Sequence, residues 1–141
     1  MAILRALGLA LVLASLLFAQ ETMAPVMWVN VPFSFEVAGQ RLPPGDYTVE
    51  FNVTIKWVLL KSAGGQSAAV VSFPIPADPP DGVDAKLVFL RYGDRRFLAE
   101  ARHPRGAHGV VKSKQEKELV TSRLIAGGAR DTISIVARLG P

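Results

Sequence analysis

The 141-residue chain contains no cysteine. That excludes a disulfide framework, a thiolate metal site and a lipidated N-terminal cysteine. A strong excess of one charge is also missing: 16 basic residues face 12 acidic ones, a net +4. Such a mild excess permits an anionic partner without demanding one. There is no basic stripe, so nucleic acid is not an expected partner. Long low-complexity or charged tracts are absent too, which argues against disorder. No apolar run reaches the roughly 20 residues of a comfortable membrane span.

One apolar run is nevertheless present. Ala6 to Phe18 is broken only by Gly8 and Ser15, and Arg5 is the single charge before Glu21. This is the charged start and apolar middle of a secretory signal peptide, with cleavage expected after Ala19. Leu17 stands where a small residue is commoner, so a retained anchor is the alternative. Removing residues 1–19 leaves 122 residues and a net charge of +3. That is one domain, long enough for one core. The expected organisation is a signal peptide (1–19), a short N-terminal segment (20–27) and a β-domain (28–141). The mature chain would lie in the periplasm or outside the cell, with no transmembrane span.

What is present is strand-like. In "VPFSFEVAGQRLPPGDYTVEF", Val31, Phe33, Phe35 and Val37 alternate with polar residues, and Tyr47, Val49 and Phe51 repeat the pattern. Period-two alternation marks half-buried strands. Pro44-Gly45 suits a stiff type II turn between them. A further strand is expected over 56–62, returning through Gly64-Gly65 as 68–73. A Pro- and Asp-rich loop follows over 74–82. Residues 85–92 and 96–102 form the clearest hairpin, with a Gly93-Asp94 loop that sets Tyr92 opposite Arg95, Arg91 opposite Arg96, Leu90 opposite Phe97 and Val88 opposite Ala99. His103 to Val111 reads as irregular. Ser113-x-x-Glu116 is a capping box for one short helix near 114–122, with Leu119 as its main apolar contact. Residues 132–139 alternate again. The fold class is therefore all-β: a single antiparallel β-sandwich or small barrel of about six or seven strands, plus that helix. Trp28, Phe33, Phe35, Tyr47, Phe51 and Trp57 are expected in its core.

The order of "VPFSFEVAGQRLPPGDYTV", "AKLVFLRYGDRRFLAE" and "KSKQEKELV" resembles a group of small exported proteins of acidobacterial genomes. Their pattern is Val-Pro-Phe-x-Phe, Leu-Pro-x-Gly-x-Tyr and Phe-x-Arg-Tyr-Gly. The resemblance implies export and a β fold, and it carries no active-site residues. Leu42 to Val49 is also similar to a turn in prealbumin-like and adhesin B-type sandwich modules. Some of those modules carry a Lys–Asn isopeptide bond, but nothing in the sequence places Lys56 and Asn52 across a core.

Few residues invite chemistry. Arg91, Tyr92, Arg95, Arg96 and Arg102, with Arg105 nearby, are the candidate surface for an anion or a protein partner. Like charges opposite each other call for a counter-ion or full solvation. Glu100, His103 and His108 are the candidate metal ligands, but His-x4-His in a loop matches no familiar zinc spacing, so solvated histidines are expected. Asp78, Asp81 and Asp84 do not match a calcium loop. Ser113 with Lys114 or Lys117 lacks a nucleophile elbow, and capping already accounts for the serine. Asn52-Val53-Thr54 fits a glycosylation sequon that has little meaning in a bacterial chain.

No cofactor is expected. The reading is a non-enzymatic exported domain that acts by binding or assembly, through an edge strand or an anionic ligand. The alternatives are a small barrel that binds an apolar ligand or lipid, and a metal-dependent hydrolase built on Glu100, His103 and His108.

Overall fold

A computed structural model describes residues 26–52, 56–76, 85–104, 106–126 and 130–139. The signal-peptide reading, the Asp78/Asp81/Asp84 loop, Arg105, and Val53 to Ile55 lie outside the described residues. The fold is all-β with one short helix. Eleven strands run β1 (Val26–Val31), β2 (Phe35–Val37), β3 (Gln40–Leu42), β4 (Gly45–Asn52), β5 (Trp57–Ser62), β6 (Ser67–Ile75), β7 (Lys86–Tyr92), β8 (Arg95–His103), β9 (Gly106–Val110), β10 (Asp131–Val136) and β11 (Arg138–Leu139). The helix α1 (Lys114–Ala126) lies between β9 and β10. Among the described residues, no helix is long and apolar enough to cross a membrane.

Among the described residues the strands exceed the expected six or seven because two expected strands, 31–37 and 132–139, are each divided, and β3 and β9 form where a turn and an irregular segment were expected. The run from Val31 to Val37 is not one strand. Pro32 has no amide hydrogen, and the β1–β4 ladder ends at Val31 opposite Gly45. The chain then crosses to a second sheet, where β2 pairs with β3 and touches β8 in parallel at Glu36 opposite Phe97. The tight turn sits at Ala38-Gly39, at φ 53° and 75°, not at Pro44-Gly45. Two positive φ values are what a type I′ hairpin needs. Gly45 itself starts β4.

The hydrogen-bonded order is β10-β7-β8-β9-β6-β5-β4-β1-β11, with β2 and β3 off this path. It is not closed by a ladder between its ends. Two stretches of chain nevertheless serve both sheets. Strand β6 pairs with β5 up to Val71 and with β9 from Ser72 onward. Strands β10 and β11, separated only by Ala137, pair with β7 and β1 at opposite ends of the order. The sheets therefore fold over each other as a barrel-like sandwich. Between them lie Met27, Val49, Tyr47, Leu60, Phe35 and Phe89, all at most 1% exposed.

Alternation explains which aromatics enter that core. Phe35, Tyr47 and Phe51 are buried as expected. Met27, Val29 and Val31 point inward, so Trp28 falls on the outer face of β1, where Arg138 lies over its ring. Val58 and Leu60 point inward, so Trp57 is 39% exposed. Phe33 sits in the break after β1, half-buried against the core, edge-on to Phe89. The Tyr47 hydroxyl donates to the Pro43 carbonyl, which ties the Pro-Pro segment to β4.

The β7–β8 hairpin has the expected register from Tyr92–Arg95 to Leu90–Phe97. Gly93, at φ 62°, supplies the positive φ of its turn. A bulge then shifts the register, so Val88 faces Glu100 and not Ala99. It lets Leu98 and Ala101, three residues apart, both reach the core.

Helix α1 begins as the capping box predicts, with the Glu116 amide donating to Ser113 Oγ at 3.2 Å. The helix runs four residues beyond the expected end at Ser122. Among its described side chains the buried one is Glu116, 3% exposed, and Leu119 is half-buried. Replacing Ser113 with alanine is expected to cost about 1 kcal/mol, as the loss of an N-cap does. Urea unfolding checks this, and an unchanged midpoint would contradict the cap.

Candidate functional site

The five residues of the candidate anion surface do not form one surface. Strand alternation puts Arg91 and Arg96 on the core side of the hairpin, at its rim, and Tyr92 and Arg95 on the opposite side. Arg91 bonds Asp131, its register partner on β10. Arg96 lies over the Phe33 ring at 4.9 Å. Arg95 grips Glu36 with two bonds of 2.9 and 2.7 Å and covers Phe97. Arg102 stands farther along β8, bonded to Glu100 at 2.9 Å and to the Pro76 carbonyl. Arg91, Arg95 and Arg102 are thus each met by an acid of the chain, whereas the buried Arg96 Nε has no hydrogen-bond partner among the described residues. The Arg91–Arg96 pairing is real, and its counter-ion is a carboxylate of the chain itself.

Tyr92 is a structural residue. Its ring is 2% exposed beneath α1, and its hydroxyl meets Glu116 at 3.3 Å. Burial pushes the Glu116 carboxyl above its usual range, with Lys112 at 3.5 Å pulling the other way. Burial, with Glu116 adding to it, raises Tyr92 as well. This buried contact latches the helix to the outer face of the hairpin.

The candidate metal residues separate differently. His103 to Val111 is not irregular: His103 ends β8, and His108 lies within β9. The two strands form a tight hairpin with His103 opposite Gly106 and Ala101 opposite His108. The histidines share the inner face. Their Nε2 atoms are 3.2 Å apart, and their rings stand within 22° of parallel. Both rings flank Phe51, at centroid distances of 4.6 and 5.2 Å. They are half-buried, not solvated. Glu100 takes the opposite face and pairs with Arg102, so the acid does not join the histidines.

Burial lowers the His108 pKa below its ordinary 6.5. The unfolded chain then binds a proton there more readily than the folded one. Stability held above pH ~6.5 is expected to fall as the pH drops toward the lowered folded value. Melting curves of the wild type and of His108→Gln between pH 7.5 and 5.5 check this. The variant is expected to lose part of the slope, and parallel curves would contradict it.

Beside this pair lies a feature that the sequence analysis did not anticipate. Where β6 leaves β5 for β9, a cleft of about 210 Å³ opens. Phe51 and His108 line its inner part, with Asn52 and Lys56 from the end of β4 and the start of β5. Trp57, Ser72, Phe73 and Pro74 complete it. Asn52 and Lys56 are thus neighbours along this cleft and are not opposed across the core. Pro74, without an amide hydrogen, fits here because β6 has parted from β5. The Ser72 amide, at the change of sheet, still donates to the Lys56 carbonyl at 2.8 Å.

The mouth of the cleft is apolar and exposed. Trp57 pairs with Val71, 44% exposed, and the Val111 amide donates to the Val71 carbonyl. Phe73, 46% exposed, pairs with Gly109. Its ring occupies the space a side chain at 109 would fill. Grouped apolar exposure of this kind marks contact surfaces more often than scattered single residues do. The signal in the sequence was the outward phase of Val71 and Phe73, which only the burial of Ala68, Val70 and Ser72 fixes.

No family model matches this chain, and no curated protein or solved structure shows significant similarity to it.

Proposed function

We propose that the chain is an exported, non-enzymatic binding domain, acting in the periplasm or at the cell surface, that holds an apolar group of its partner in the cleft at the β6 corner. One observation carries this reading: exposed Trp57 and Phe73 line an apolar cleft, and exposed Val71 and Val111 lie beside Trp57 on the neighbouring chain segments. Binding sites of this sort combine apolar walls with a few polar groups, here Asn52, Lys56, Ser72 and His108. At about 210 Å³ the cleft suits one aromatic ring or branched side chain, not a whole lipid. That favours an apolar residue presented by another polypeptide over a hollow barrel filled with lipid, since aromatic and aliphatic side chains occupy the space between the sheets. The arginine hairpin supports an anionic partner less well, because Arg91, Arg95 and Arg102 bond acids of the chain. Export rests on the N-terminal pattern and on the resemblance to small exported proteins. A hydrolase built on Glu100 has little support while that acid faces away from the histidines.

The test uses a neutral fluorescent probe, N-phenyl-1-naphthylamine. Saturable binding at one site is expected. Phe73→Ser and Gly109→Ala, whose added methyl displaces the Phe73 ring, should each weaken it about tenfold, a loss of ~1.4 kcal/mol. Arg91→Ala should leave it unchanged. Absence of saturable binding, or loss in the arginine variant alone, would overturn the reading.

A further inference from the structure

The Nε2 atoms of His103 and His108 stand at a separation that serves a hydrogen bond and also fits the chelation of one metal ion. Two ring nitrogens that ligate one ion at 2.0–2.1 Å, with a near-tetrahedral angle, stand about 3.3 Å apart. The Nε2 atoms of this pair are already 3.2 Å apart, on adjacent strands whose ladder fixes their backbones. The Phe51 ring, 2% exposed, packs against both imidazoles and restricts their rotation. We propose that His103 and His108 chelate a first-row transition-metal ion through their Nε2 atoms.

Imidazole nitrogen suits zinc, nickel and copper, and the general affinity order places copper(II) highest. Among the described residues, no third histidine, cysteine, aspartate or glutamate joins the pair. The site is therefore a two-ligand one that leaves the remaining positions to water or to a donor from a partner. Such a site binds exchangeably, unlike a closed structural zinc centre. Where one Nε2–H donates to the other Nε2, that proton has a place to go. The donor ring shifts to its Nδ1–H tautomer, so both Nε2 lone pairs face the metal and no net proton is lost. His108 also lines the apolar cleft, but metal binding and apolar binding can each fail alone.

The experiment is calorimetric titration of chelator-stripped, metal-free protein with copper(II) and with zinc(II) alone. One equivalent is expected to bind, copper more tightly. Either His103→Ala or His108→Ala should weaken it at least tenfold, while Glu100→Ala leaves it unchanged. Because an alanine beside Phe51 can loosen the fold, the wild type supplies a second readout. Zinc should move the Nε2 nitrogen resonances of both histidines, whereas the neutral naphthylamine probe should leave that of His103, which does not line the cleft, unmoved. No saturable binding, binding that survives loss of either histidine, or an equal loss in Glu100→Ala would overturn the proposal.

Discussion

Replacing Phe89 with alanine is expected to lower the unfolding free energy by about 3–5 kcal/mol, the range for deleting a buried phenyl ring. Phe89 is fully buried. It meets Phe33 and Phe35 edge-on, at centroid distances of 5.0 and 5.2 Å. Phe35 in turn meets Tyr47 at 5.2 Å. The ring therefore joins the β7–β8 hairpin to the segment that crosses between the sheets. Its loss leaves a void that the paired strands on both sides cannot collapse to fill. Small domains hold only about 5–15 kcal/mol in all, so the variant should be marginal. Urea unfolding checks this, and a loss below about 1 kcal/mol would show that the aromatic cluster is not the centre of the core.

Ending the chain after Arg130 is expected to abolish cooperative folding. Residues 131–139 supply an edge strand to each sheet, β10 against β7 and β11 against β1. They also carry Ile133, Ile135 and Ala137, which pack against the core. The Ala137 amide donates to the Ala85 carbonyl at 3.0 Å, between the two ladders. Removing the segment bares two strand edges and part of the apolar interior at once, and exposed edges invite aggregation. Circular dichroism and melting of the truncated chain check this. A truncated chain with a sharp melting transition near that of the full chain would contradict it.

Much of the fold was legible because alternation is a local signal. The β4 pattern, the β7–β8 turn and the Ser113 cap all follow from neighbours a few residues apart. What was not legible depended on long-range pairing. Ala38 takes a positive φ that alanine seldom adopts, so the turn at Ala38-Gly39 is less legible in the sequence than Pro44-Gly45. The shift between Val88 and Phe89 moved Glu100 against its expected register, and sequence carries no mark of a bulge there. Pro104, Gly106 and Gly109 look like breakers, yet they surround a tight hairpin, and that hairpin brings the histidines together.

The same holds for the candidate site. The arginines stood out as a cluster, but clustering in sequence became alternation across two faces, where Asp131 and Glu36, both far along the chain, meet Arg91 and Arg95. The cleft depends on β6 changing sheets between Val71 and Ser72, a feature with no local signature.

The central claim is that the β6 corner, and not the arginine hairpin, is the contact site. The most direct test is a proton–nitrogen NMR map of the labelled 20–141 chain titrated with N-phenyl-1-naphthylamine. The account predicts saturable shifts at the Trp57 indole and at the amides of Ser72, Phe73, His108 and Val111, with Arg91 to Phe97 unmoved. Shifts centred on Arg91 to Arg96, or spread evenly over the chain, would contradict it.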